Sequence, residues 1–357
     1  MNKWGTPVSS DSNENFSVGN LRDDVRDGPV SEVLGELSEI LRQARKVMIA
    51  THVNPDGDAI GSSVALAIGL GKLGKEARVF SETDVDERFE GIIAPGSVET
   101  VDGSSAGALA GQFDVCVLLD TSEPARAGIL EPVVFAEGQK RVCIDHHLLD
   151  GEYSFDSHLV VAEAPATACL VLWLLDELDV VVDAEIAMPL WLALATDTGW
   201  FRFANAGRLA FQCAQRLLGA GLDTEELHGL IYGSRSPQKT RLWGKVLMEH
   251  RVELDGRLVW SLVSKEALDE LGAVRDDLDG AIDLLKGVKG AHVAALLSQV
   301  DEGSFKVSLR SVENVDVEKL ARSFGGGGHA KAAGFSASGT AQEIIETLGG
   351  ALAAQVT

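Results

Sequence analysis

Short runs rich in Val, Ile and Leu alternate with longer helical patterns through the first half of the chain. SEVLGELSEILRQAR (31–45) repeats apolar residues at helical spacing behind Ser31, its expected cap. KVMIATH (46–52), EARVFSE (76–82), FDVCVLLD (113–120) and RVCIDHH (141–147) follow, separated by helical or Gly-rich connections. Runs that are apolar on both faces and alternate with helices predict an α/β fold, a parallel sheet with helices on both faces. In such sheets ligands gather outside the carboxyl ends of the strands. Three of the four runs end in His52, in Asp120 and in Asp145-His146-His147.

Helical patterns dominate from about Ala166 to Leu230, and EIAMPLWLALATDTGW carries Asp197 just beyond a strongly apolar face. GSRSPQKTRLWGK (233–245) is polar, basic and Pro-containing, and residues 233–248 are expected to be a linker. Beyond it, EHRVELDGRLVWSLVS predicts a hairpin with Asp255-Gly256 in its turn. AHVAALLSQV and FKVSLRSV predict a second pair of strands joined by Asp301-Glu302-Gly303, and a Gly run at 325–328 precedes a final helix near 340–355. Two domains are expected, 31–232 and 249–357. Residues 1–30, rich in Ser, Asn, Asp and Gly, are expected to form a disordered tail.

Composition narrows the function. The 357 residues are 45% hydrophobic, enough for a full core. With 31 Lys+Arg against 54 Asp+Glu the formal charge is -23, which repels polyanions at long range. This argues against a long duplex groove and leaves room for a short nucleotide in a local pocket. Cys116, Cys143, Cys169 and Cys213 form no C-x-x-C pair and are read as reduced and mostly buried, in keeping with a cytoplasmic location. No apolar stretch approaches the ~18 residues needed to cross a bilayer, so no membrane partner is expected.

The chemistry gathers in two stretches. In THVNPDGDAIGSS (51–63), His52, Asp56 and Asp58 lie on a loop tightened by Pro55 and Gly57. Three such groups within seven residues repel or desolvate one another without a cation, and a mixed N/O set suits manganese, with magnesium, cobalt or zinc as substitutes. Each residue also has a plainer reading. Asp58 fits as a helix cap, His52 as a hydrogen-bonded strand-end histidine, Asp120 as a loop cap, and Asp197 as a cap for the turn at Gly199. Asp145-His146-His147 is harder to explain this way, because three polar residues ending a buried strand lose hydration without compensation.

NPDGDAIGS, LLDTS, IDHH and ATDTG, in this order over about residues 46–205, resemble the four motifs of the DHH phosphoesterase superfamily. LRS (309–311) and GGGGHAKAAGF (325–335) look like the nucleotide-binding signatures of its DHH-associated domain. Over residues 31–355 the architecture is similar to the bifunctional oligoribonuclease and 3'-phosphoadenosine 5'-phosphate phosphatase family, the nano-RNases. The resemblance implies a parallel-sheet DHH domain and a smaller α/β DHH-associated domain with a cleft between them. It implies two Mn2+ per subunit, one held by His52 and Asp56, the other by Asp58, His146 and Asp197, with Asp120 bridging. His147 would face the substrate phosphate and Asp145 would orient the imidazoles. Arg310, Ser311, Gly326, Gly327, Gly328 and His329 would grip the nucleotide, although a solvated strand end and a flexible surface loop are their plainer readings. His158, His228, His250 and His292 fit no ligand spacing. The substrates implied are very short RNA and 3'-phosphoadenosine 5'-phosphate. The rivals are cyclic or linear dinucleotides such as c-di-AMP or, in another class, a sensing module that has lost catalysis. The oligomeric state is left open, with a homodimer among the options.

Overall fold

The computed structural model describes residues 28–89, 91–147, 155–232, 235–312 and 315–356. The tail expected over residues 1–30 lies outside them as far as residue 27. The chain divides into two compact units, Met1–Gly233 and Ser234–Thr357.

The first unit is built on six parallel strands, β1 (Lys46–Ala50), β2 (Glu76–Ser81), β3 (Val98–Thr100), β4 (Val115–Leu119), β5 (Lys140–Asp145) and β6 (Ser157–Val160), in the order β3-β2-β1-β4-β5-β6. The short outer strands β3 and β6 escape the sequence pattern because at three and four residues they carry too few apolar positions to stand out. Its helices are α1 (Pro29–Gln43), α2 (Gly57–Lys72), the short α3 (Gly103–Ala106) and α4 (Glu131–Val134), then α5 (Thr167–Glu177), α6 (Ala184–Asp197), α7 (Arg208–Leu218) and α8 (Thr224–Tyr232). α1 opens with Gly28 as its cap and Pro29 in its first turn, so Ser31 lies inside the helix. Proline supplies the helical φ and lacks only an N–H that would be orphaned there.

The two faces of the sheet are unequally dressed. Val47, Ile49, Val117 and Ile144 pack under α1, α2, α5 and α6, whereas Met48, Ala50, Cys116 and Leu118 meet the short helices and 3-10 turns between residues 103 and 134. All five residues of β4 are buried, which is why a strand covered on both sides reads as an unbroken apolar run. The four cysteines are free and buried, and burial pushes the Cys116 thiol up to about 12.

α2 and α6 touch closely. A Cβ on Gly57 would collide with the Thr196 side chain, and one on Gly61 with the Pro189 carbonyl oxygen and Ala193. These glycines therefore set the distance between two helices whose ends carry Asp58 and Asp197.

The second unit contains β7 (Arg251–Glu253), β8 (Leu258–Val263), β9 (Val293–Asp301), β10 (Ser304–Ser311), β11 (Gly327–His329) and β12 (Ala332–Ser338), in the order β11-β12-β10-β9-β8-β7. Only β8 and β9 run parallel. α9 (Pro237–Met248), α10 (Lys265–Leu271) and α11 (Ala281–Lys286) cover one face, and α12 (Val317–Ser323) and α13 (Ala341–Val356) the other. Residues 233–248, expected as a linker, are helical from Pro237. Ser236 caps α9, and Leu242 and Val246 are buried in this unit's core, so a polar, basic exterior concealed one apolar stripe. Among the described residues no helix is long and apolar enough to cross a membrane.

Gly61→Ala should lower unfolding free energy by about 1–3 kcal/mol, because the new methyl must push α6 away. Gly71→Ala, in the same helix with open space around it, should be neutral or stabilise by up to about 1 kcal/mol. Denaturant titration of both variants checks the contrast, and equal effects would show that the helix crossing is not tight.

Candidate metal centre

The sheet reverses its winding between β1 and β4, the position where doubly wound folds leave a crevice at the carboxyl edge. His52 follows β1, Asp120 follows β4, His146 and His147 follow β5, and Asp197 ends α6. Ligand atoms of His52, Asp56 and Asp120 lie within 4.8 Å of one another, as do those of Asp58, His146 and Asp197 and those of Asp120, His146 and His147. Asp120 belongs to two of these groups. Its Oδ2 is 3.6 Å from His52 Nε2, and its Oδ1 is 3.8 Å from His146 Nε2. It stands at φ 61°, a left-handed conformation uncommon outside glycine, where a strand must turn its carboxylate back over the sheet edge.

Each group is held by contacts that sequence does not advertise. Asp56, not Asp58, caps α2, with one carboxylate oxygen accepting from the N–H groups of Asp58 and Ala59. Asp58 is buried and accepts from the Ser62 hydroxyl at 2.9 Å and from the N–H groups of Thr167 at 2.6 Å and Ala168 at 3.1 Å. The Thr167 hydroxyl donates to Asp120 at 2.8 Å. His52 Nδ1 faces the Val53 carbonyl at 3.0 Å and His146 Nδ1 the Ala164 carbonyl at 3.2 Å, which leaves each Nε2 as the basic nitrogen. The Asn205 amide donates to the backbone carbonyls of Asp197 and Pro165. Ser62, Thr167 and Asn205 were missed because neutral groups acting locally carry no distinctive spacing.

Asp145 reaches one imidazole rather than both. Its Oδ1 accepts from His147 Nδ1 at 2.8 Å and from the His147 N–H at 3.0 Å, whereas His146 is aimed by the Ala164 carbonyl. The hydrogen bond to Asp145 raises the His147 pKa, and although burial opposes it, the same contacts hold the Asp145 carboxyl below its usual range.

Electrostatics test whether a cation fits. His146 Nε2 is 3.7 Å from Asp58, 3.8 Å from Asp120 and 3.6 Å from Asp197, beyond hydrogen-bonding distance of all three, and it is buried without a partner. Donors about 2.1 Å from a common ion stand about 3 to 3.6 Å apart, so this spacing accommodates a metal with small adjustment. Burial and Asp58 push Asp197 up to about 7, and burial and Asp58 hold Asp120 well above the carboxylate range. Burial also raises Asp58. Burial works against a charge on His146, but the carboxylates of Asp58, Asp197 and Asp120 outweigh it. So many carboxylates cannot ionise together unless positive charge joins them, and the donor set fits divalent cations.

In the second unit, Arg310 is half-buried, with one guanidinium nitrogen on the Leu309 carbonyl and Nε 3.9 Å from Asp283. Ser311 is the other residue expected on this strand as a substrate contact. It is buried, and its hydroxyl donates to the Val315 carbonyl at 2.7 Å, tying the strand end to the next loop. The second half of the Gly run belongs to the edge strand β11, and Gly325 lies in the turn before it. Gly326 and Gly328 press against Phe335 and Ala333 on β12 with no room for a Cβ, while Gly327 faces open space. The His329 backbone pairs with Ala332, and its side chain lies outside the described residues. His158, His228 and His250 are exposed, and His292 is half-buried.

Residues 46–194 match the DHH family, N-terminal domain, and residues 259–354 match the DHHA1 domain. The bifunctional oligoribonuclease and PAP phosphatase NrnA of Thermus thermophilus is 36% identical over 307 residues, covering 85% of this chain and 88% of that protein. The chain belongs to the DHH family. A solved structure of an exopolyphosphatase-related protein from Bacteroides fragilis superposes with a TM-score of 0.82 at 26% identity, over 90% of this chain and 96% of that one. The cyclic-di-AMP phosphodiesterase GdpP of Geobacillus thermodenitrificans is 23% identical over 304 residues, 82% of this chain but 45% of that protein. The DHH match spans the strand ends that carry His52, Asp120 and His146.

Without cations, carboxyls whose pKa lies above the unfolded value stabilise the fold only while protonated, and that contribution is lost as pH rises through the folded pKa, about 7 for Asp197. A bound cation needs the same groups deprotonated. The gain in Tm from a fixed manganese concentration should therefore be larger at about pH 8 than at about pH 5. Thermal scans with manganese and with a chelator check this, and a gain independent of pH would show that protons and cations do not compete here.

Proposed function

We propose that this protein is a two-metal phosphoesterase that degrades very short oligoribonucleotides to mononucleotides and dephosphorylates 3'-phosphoadenosine 5'-phosphate. The observation that carries the reading is Asp120, whose two oxygens face two separate groups of ligands. The substrates follow from the NrnA relative, which covers most of both chains.

His52, Asp56 and Asp120 would hold one divalent cation, and Asp58, His146 and Asp197 the other, with Asp120 shared. Manganese suits this mixed set of imidazoles and carboxylates. Cations held as a pair lower the pKa of water and neutralise phosphoryl oxygens. Hydrolysis adds hydroxide to phosphorus and a proton to the departing ribose oxygen as the P–O bond breaks. His147, exposed at the rim and with its pKa raised by the hydrogen bond to Asp145, is the group we assign to supply that proton. Asp145 acts through His147 and is a positioning residue.

The second unit carries nucleotide-binding groups of its own in this reading. Arg310 and the open backbone at Gly327 are the contacts we assign to it, together with His329, whereas Ser311, Gly326 and Gly328 shape that surface from within. A chain at -23 can hold a polyanion only where cations and a few donors reverse the local potential. Affinity should therefore stop rising after about two to five nucleotides. The dinucleotide alternative rests on the GdpP likeness, which covers less than half of that relative.

The test is a rate comparison with manganese among a dinucleotide, a pentanucleotide, an RNA of about 24 nucleotides, c-di-AMP and 3'-phosphoadenosine 5'-phosphate. Fast turnover of the dinucleotide, the pentanucleotide and 3'-phosphoadenosine 5'-phosphate supports the reading, and exclusive cleavage of c-di-AMP replaces it. Two variants separate the roles. Asp120→Ala should lose bound manganese along with activity. His147→Gln should keep its metal while kcat drops about 10²-fold to 10⁴-fold. Metal analysis showing two retained equivalents in Asp120→Ala would remove the bridging role.

A further inference from the structure

Arg126 lies on the 3-10 helix Pro124–Leu130 that follows Asp120, Thr121 and Ser122. Its backbone is fixed on both sides. The Arg126 N–H donates to the Glu123 carbonyl at 3.1 Å, and the Arg126 carbonyl accepts from the Val53 N–H at 2.8 Å. Val53 is the residue after His52, so this bond joins the loops leaving β1 and β4 at the point where the sheet reverses. Behind it, Gly128 adopts φ 58° where a Cβ would strike Glu82 and Val53, and Glu82 accepts from the Ile129 N–H at 2.9 Å. The base of the side chain is thus rigid, while the side chain itself is exposed.

Its charge is uncommitted. Among the described residues no carboxylate lies within ion-pair distance of the Arg126 guanidinium, and it makes no side-chain hydrogen bond. That is unusual in a chain at -23, beside a centre holding Asp56, Asp58, Asp120, Asp145 and Asp197. A rigidly mounted, unpaired guanidinium on the loop that follows Asp120, tied by its backbone to the residue after His52, is suited to a phosphate oxygen, which it can meet with two parallel N–H bonds.

We propose that Arg126 clamps the non-bridging oxygens of a terminal phosphate, and that it thereby decides how well this centre accepts phosphomonoesters relative to phosphodiesters. The argument is one of charge. A monoester carries about -1.5 to -2 at neutral pH, whereas a diester carries one negative charge and offers one fewer free oxygen. A fixed cation therefore discriminates in favour of the monoester, provided that it touches the phosphate itself. This deepens the reading given above, because it rests on phosphoester hydrolysis at the same centre and assigns the second activity to one residue.

The experiment compares wild type, Arg126→Gln and Arg126→Lys, loaded with manganese, on p-nitrophenyl phosphate and bis(p-nitrophenyl) phosphate. The Tm shift produced by AMP, against adenosine as a neutral control, is read alongside. The Gln variant should lose about 100-fold in kcat/KM on the monoester and less than about tenfold on the diester, with Lys restoring part of the difference. It should also lose the AMP-dependent Tm shift. Equal losses on the two esters would make Arg126 a support for the Val53 loop and overturn the proposal, as would no loss, or an AMP shift that survives in Arg126→Gln. If neither p-nitrophenyl ester turns over, the AMP shift decides alone. The nucleotide substrates are not used in this comparison, so their failure to be cleaved would sink the proposed function while leaving the clamp standing.

Discussion

The carboxylate of Asp58 is removed from water, and it is held by the first N–H groups of α5 and by a hydroxyl one turn along α2, with His146 Nε2 3.7 Å away. A buried carboxylate loses several kcal/mol of hydration, and hydrogen bonds from a helix N-terminus recover part of it. Much else follows from that need. α5 must begin where Thr167 can also reach Asp120, α2 must lie close enough to α6 for Asp197 to join, and glycines at 57 and 61 make that approach possible. The scaffold and the centre are therefore one problem. The same few contacts that let the helices pack gather acids that burial and mutual repulsion keep from ionising together.

How much of this was legible follows from which interactions have a period. The central strands showed themselves because β1, β4 and β5 are buried on both faces, and an unbroken run of Val, Ile and Leu has few other uses. β3 and β6, three and four residues at the margins, had no such pressure on them. α9 was hidden for the opposite reason. It carries half-buried Lys239 and Lys245 and exposed Arg241, and the two residues that bury it, Leu242 and Val246, are too few to announce a helix against a Ser-Pro start.

The centre was legible where charge had to be concentrated, since aspartates and histidines at strand ends are conspicuous. Their supports were not. A carbonyl at Ala164 aims His146, and two amides at 167 and 168 satisfy Asp58, yet any residue type supplies a carbonyl or an amide. In the second unit the ambiguity ran the other way. Gly326 and Gly328 have the composition of a phosphate loop but are glycines because β12 lies against them, whereas Gly325 and Gly327 are free of that constraint. Ser311, read from sequence as a ligand contact, has its hydroxyl on the Val315 carbonyl, a bond between backbone segments that no spacing announces.

The four cysteines have a practical consequence for anyone who follows this protein in solution. Burial holds the Cys116, Cys143 and Cys169 thiols far above the range in which a thiolate forms, and Cys213 is buried with them. Alkylating reagents act on the thiolate, so the native chain is silent toward them until a segment opens. Cys116 and Cys143 sit within the two strands that deliver Asp120 and Asp145, which makes them internal timers for the opening of that sheet. A single cysteine introduced on the surface would, against that quiet background, take a fluorophore cleanly without removal of any native thiol.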